Sequence, residues 1–141
     1  MERVTRSSED ICKAFNRITW HDSKLIGLAI QQGSLGPPAE SNVVFDVKLQ
    51  VTPRGTDSLR DAKLVLKSCT ILRMNLDLSW KHVVSDDISS AVCKADSDLK
   101  KEIERQLTNE NKPLQDYLHF AISLIPPAGE IHALARDFEL I

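Results

Sequence analysis

The stretch from Asp116 to Ile141 constrains the fold more than any other part of the chain. Tyr117 to Ile125 and Glu130 to Leu140 alternate apolar and polar residues, and Pro126-Pro127-Ala128-Gly129 stands between them. Alternation with period two makes a strand with one buried face, and the proline–glycine cluster turns the chain, so the segment reads as a β-hairpin. If Ile125 pairs with Glu130, then Leu118, Phe120, Ile122, Leu124, Ile131, Ala133 and Ala135 share an apolar face. The other face then sets Ser123 against His132 and His119 against Arg136, with Tyr117, Leu134 and Phe138 nearby. Tyr117, His119, Ser123, His132 and Arg136 therefore form the first candidate binding face. At its sharpest this is a Ser123–His132 nucleophile and base. A flat strand face, however, offers no oxyanion hole, orienting carboxylate or strained nucleophile turn, so a solvated or helix-covered face is the simpler expectation.

The remaining chain supplies more strands and two short helices. Ser7-Ser8-Glu9-Asp10 fits a capping box, and Ile11, Phe15 and Ile18 follow at helical spacing. Thr19 to Ser23 ends that helix and launches a strand from Lys24 to Gln32. Gly33 to Pro38 is a loop by composition. Asn42 to Thr52 is the clearest strand, with Val43, Phe45, Val47, Leu49 and Val51 on its core face. Pro53 to Asp61 reads as a loop. Ala62 to Cys69 and Ile71 to Trp80 read as two strands or as one long bent strand. Ile88 to Lys94 makes a further strand after the Ser85-Asp86-Asp87 turn. Asp96-Ser97-Asp98 caps a helix with the stripe Leu99, Ile103 and Leu107, its charges arranged as the helix dipole favours.

That order contains no alternating βα units and no repeat. It predicts one α+β domain over residues 1–141: a single antiparallel sheet of about six strands with two helices packed against it. An all-β half-barrel plugged by the helices is the structural alternative. The chain has 42% hydrophobic and 27% charged residues, ordinary values for a globular protein. Aromatics are only 5%, so the core is expected to rest on Leu, Ile and Val.

Charge and spacing exclude several classes of function. A net charge of -2 argues against a nucleic-acid binder with a basic face and against a polybasic membrane anchor. The longest apolar run is Leu25 to Ile30, far short of the roughly 20 residues that a membrane-crossing helix needs. Cys12, Cys69 and Cys93 form no CxxC pair, which points to reduced, mostly buried thiols in a cytoplasmic protein rather than a disulfide framework or zinc site. The four histidines show no HxH or HExxH spacing, and the five glycines form no phosphate-binding loop, so no metal and no cofactor is expected. His21-Asp22 is a secondary candidate, because a histidine beside an acid can act as base or ligand. At a helix-to-strand junction, Asp22 or Ser23 is more simply a turn-former. Asp86-Asp87 lacks the further oxygens a hard cation requires and is also expected to be a turn.

The succession WHDSKLIGLAI, VVFDVKLQV, AKLVLKSCTILRMNLDL and IHALARDFEL resembles a group of small uncharacterised bacterial α+β domains. It is similar in layout to some immunity proteins of bacterial toxin systems, over residues 20–141. The resemblance implies a cytoplasmic, non-enzymatic module that binds a partner protein, and it assigns no functional residue. The expectation is thus an interaction module using a sheet face or edge. The alternative is a small-molecule-binding or weakly hydrolytic domain on the polar face of the hairpin.

Overall fold

The computed structural model describes residues 7–31, 41–50, 59–76, 87–106, 116–124 and 129–141. Within them the order is α1 (Ser8–Asn16), β1 (Lys24–Gln31), β2 (Ser41–Gln50), β3 (Leu59–Cys69), β4 (Ile71–Leu76), β5 (Ile88–Lys94), α2 (Asp98–Gln106), β6 (Leu118–Leu124), β7 (Gly129–Ala135) and β8 (Asp137–Leu140). The loop at 33–38, the residues between Leu76 and Asp87, Leu107 and the hairpin turn at 126–128 lie outside the described residues.

The α+β class holds, but the single sheet of about six strands does not form. The strands divide into two antiparallel four-stranded sheets, β1-β2-β3-β8 and β4-β7-β6-β5. Two strand pairs cross between them. β3 runs into β4 through Ser68, whose φ of 54 bends the chain, and β7 runs into β8 at Arg136. The corners are held side by side: Thr70 N–H donates to Leu134 O at 2.9 Å and Arg136 N–H donates to Lys67 O at 3.0 Å. Strands that bend from one sheet into the next are the usual way to turn such a corner. The closing strand expected from Glu130 to Leu140 is therefore two strands, and residues 59–61, read as loop, begin β3. On the far side, Lys24 bridges Asp87, so the first residue of β1 meets the approach to β5.

The core fills the space between the sheets and α1. Val43, Phe45, Val47 and Leu49 from β2 meet Leu64 and Leu66 from β3 and Phe120, Ile122 and Ile131 from the second sheet. Every apolar residue assigned to the inner face of the hairpin is buried, because strand parity survives any even change of register. Aromatics are scarce, yet all four phenylalanines are buried. Phe15 stands at their centre, with ring centroids 4.8 Å from Trp20, 5.0 Å from Phe120 and 5.2 Å from Phe138. Phe138 thus belongs to the core rather than to the polar face.

Both helices start as their sequences dictate. Ser7 Oγ accepts the Asp10 N–H at 3.1 Å, capping α1, and Glu9 pairs with Lys13 one turn on at 2.9 Å. Trp20 then folds back, its indole N–H donating to Phe15 O at 3.0 Å. Ser97 Oγ caps α2 through the Lys100 N–H at 3.2 Å. The helices do not share a surface: α1 inserts Ile11 and Phe15 into the main core, whereas α2 lays Ile103 on Leu134. That contact covers part of the outer face of the second sheet.

Candidate functional site

The polar face of the hairpin lies under and beside α2. Its register differs from the sequence expectation by two residues. Ser123 pairs with Glu130, Ala121 with His132, and His119 with Leu134. The reason is Gly129, which leaves the turn and enters β7 opposite Leu76. A side chain there would fall onto the Asn75 carbonyl oxygen, and the φ of +115 is one that only glycine adopts cheaply. The two-residue change leaves every side chain on its expected face but changes its neighbours.

Ser123 therefore does not meet His132, and the nucleophile–base pair suggested by the sequence is not formed. Arg136 is not opposite His119. It sits at the corner between β7 and β8, its guanidinium 5.1 Å from the centre of the Tyr117 ring, and Tyr117 packs on the Ile103–Leu134 contact. Of the five candidate residues, the fold thus pairs Arg136 with Tyr117 and, separately, His119 with His132, which meet diagonally across β6 and β7 with Nε2 and Nδ1 2.8 Å apart.

These two imidazoles form the floor of a cleft of about 760 Å³ between α2 and the sheet. Strand pairing explains the floor. Arg73 of β4 lies opposite His132, and Lys94 of β5 lies opposite His119. The wall comes from Asp96, Ser97, Asp98, Lys101, Glu102 and Arg105 at and along α2. Arg73 reaches Glu102 at 3.6 Å, linking floor to wall. Ser123 is not part of the lining. Sequence reasoning missed Arg73, Lys94 and the α2 side chains. Alternation put Arg73 on a polar strand face, but nothing in the sequence paired β4 with β7.

His119 is the least comfortable polar group here. It is 7% exposed, and its Nδ1 is buried without a hydrogen-bond partner. Burial, then the neighbouring His132, then Lys94 lower its pKa to about 4, so the ring is neutral at pH 7. The Glu130 carboxylate lies 3.4 Å from His132 Nε2 and can accept a proton placed there. With the protons so placed, His132 Nδ1 accepts the His119 Nε2–H, and His119 Nδ1 remains a buried lone pair without a donor. A chain of carboxylate, imidazole and imidazole results. It orients the two rings.

The side chains of His21 and Asp22 pair with each other at 3.0 Å and are largely exposed, while the Asp22 N–H donates to Ile88 O at 3.2 Å. The turn depends instead on Ser23, which is fully buried. Its Oγ donates to Thr19 O at 3.0 Å and accepts the Gln50 N–H at 2.9 Å. Asp87 pairs with Lys24 at 2.9 Å. Among the described residues no group of three or more His, Cys, Asp or Glu is placed to hold a metal ion.

A second surface lies on β1. Ile26, Leu28 and Ile30 are 53%, 37% and 59% exposed. β1 is the outer strand of its sheet, and beyond the Lys24–Asp87 bridge its outer edge has no strand partner among the described residues. No helix among the described residues is long and apolar enough to cross a membrane. Compared with protein-family models, with curated proteins and with solved structures, the chain matches none.

Proposed function

We propose that this chain is a non-catalytic interaction module that takes up an extended segment of a partner protein along β1. The observation that carries this reading is the apolar, exposed outer edge formed by Ile26, Leu28 and Ile30. Soluble proteins blunt free strand edges with charge, yet Leu25 to Gln31 contain none, and the lysine at the start of the strand is engaged by Asp87. An added strand would satisfy the backbone of that edge and cover the apolar side chains. The resemblance of the sequence to immunity proteins of toxin systems is in keeping with the same class of function, and implies a cytoplasmic setting and a protein as ligand.

The test is affinity capture with the wild type, Leu28→Lys and Ile30→Lys, each checked for native circular dichroism. One specific protein should bind the wild type, and each lysine should weaken binding at least about tenfold, equivalent to about 1.4 kcal/mol. A partner held equally well by all three would place the interface elsewhere.

The cleft supports a second reading, because charged side chains from β4, β5 and α2 converge there on the His119–His132 pair. In this reading the cleft takes a small polar ligand matched to its mixture of Arg73, Lys94, Asp96 and Glu102. A ligand at a hundredfold excess over its Kd would stabilise the fold by about 2.7 kcal/mol, which a thermal-shift screen over metabolites and metal ions detects. A flat response across the screen would remove this reading.

A further inference from the structure

Two of the three cysteines meet across the fold. Cys12 on α1 and Cys93 on β5 are 81 positions apart in sequence, yet their Sγ atoms lie 3.1 Å from each other. A second contact sets the spacing of the two elements without help from sulfur. The Asn16 side chain accepts the Cys93 N–H at 2.8 Å and donates to the Cys93 carbonyl at 3.2 Å. Cys12 is partly exposed, whereas Cys93 is 2% exposed and faces the core. Cys69 is engaged elsewhere, its thiol donating to Ile71 O at 3.2 Å.

We propose that Cys12 and Cys93 are an oxidisable dithiol that closes to a disulfide on reaction with a low-molecular-weight disulfide. Access sets the order of events. The thiolate of Cys12 attacks one sulfur of the small disulfide, forming a mixed disulfide and releasing one small thiolate, which takes up a proton. Cys93 then loses its proton to solvent, and its thiolate attacks Cys12 Sγ and expels the second small thiol. Two protein thiols are oxidised, and the small disulfide is reduced to two thiols, with no other reactant needed. The sulfurs must approach by about 1 Å to reach the bond length of about 2.05 Å, within side-chain rotation on elements already clamped by Asn16. Burial and the nearby Cys12 push the Cys93 thiol well above the ordinary range, which leaves the first attack to Cys12. The resolving step rests on the 3.1 Å approach of Cys93 Sγ to Cys12 Sγ, which offsets its small thiolate fraction. The closed bond would tie α1, and with it Phe15, to the second sheet.

The experiment uses the full chain, reduced and then incubated with excess oxidised glutathione. Denaturation, alkylation with N-ethylmaleimide and intact mass follow. The expected product has lost two hydrogens, carries one maleimide on Cys69, and yields a Cys12–Cys93 cross-linked peptide on digestion. Its Tm is higher than that of the reduced chain and returns to the reduced value with dithiothreitol. Cys93→Ser should stop at a glutathione adduct on Cys12. Three alkylated cysteines after oxidation, a lasting glutathione adduct on wild-type Cys12, or a cross-link through Cys69 would each overturn the assignment. The peptide map is read on the wild type, so the conclusion does not depend on how the variant folds.

Discussion

Gly129 decides how the C-terminal strands pair. Its backbone lies so close to Asn75 and Leu76 that an added Cβ would overlap the Asn75 carbonyl oxygen, and its φ of +115 is costly for any other residue. Gly129→Ala should therefore destabilise the protein by about 1–3 kcal/mol, read from urea unfolding. His119 makes a prediction of a different kind. Its pKa is lowered to about 4, below the ordinary value of 6.5, because burial and the charges of His132 and Lys94 oppose protonation. In the unfolded chain the ring takes up its proton near pH 6.5, but in the folded chain only near pH 4. The unfolded state thus binds more protons between those values, and stability falls as pH is lowered through that window. His119→Leu removes this site, so its stability should fall less between pH 6.5 and 4. At pH 7 it should be no less stable than the wild type, since the unpaired Nδ1 is gone and His132 is exposed enough to reach water. An unchanged slope in urea midpoints across pH would contradict the neutral, buried state of His119.

At the scale of elements, α2 depends on its contact with the sheet. It has nine residues, too few to persist alone, since isolated helices shorter than about 12–15 residues are marginal in water. Its anchor is Ile103, 2% exposed, seated on Leu134. Ile103→Ala should cost about 2 kcal/mol or more and should remove amide protection along α2 while the strands keep theirs, as hydrogen exchange would record. Equal protection of α2 in variant and wild type would show that something else holds the helix and the cleft wall. The helices and the faces of the strands were legible because capping residues and period-two alternation are local. The pairing of faces was not. Neither Ser68 nor Arg136 is the glycine or proline that usually advertises a corner, so alternation left two strands or one bent strand open at the first and suggested an unbroken strand through the second. The polar face of His119, Ser123 and His132 was readable from parity, whereas their neighbours depended on a shift of two residues caused by β4. Arg73 and Lys94 reached the site through partners distant in sequence, and Cys12 found Cys93 the same way. Such information is absent from any local pattern.

The whole molecule has one main core, and its centre is supplied by the helix rather than by either sheet. Phe15 is fully buried and touches Trp20 from the turn after α1, Phe120 from one sheet and Phe138 from the other. The sheets are also continuous through the β3–β4 and β7–β8 corners, so neither can lose its inner face without exposing the other. Unfolding should consequently be cooperative even though the strands form separate sheets. Phe15→Ala leaves a cavity at the point where all three layers meet, and should cost about 3–5 kcal/mol. Because surface exposed on unfolding is scarcely altered, the urea midpoint should fall while the slope stays constant. Tryptophan fluorescence, which includes Trp20 beside the missing ring, and far-ultraviolet circular dichroism, which reports the strands, should give the same midpoint. Separate midpoints would mean that one sheet survives the other, and the shared core would then be the wrong description of what holds the molecule together.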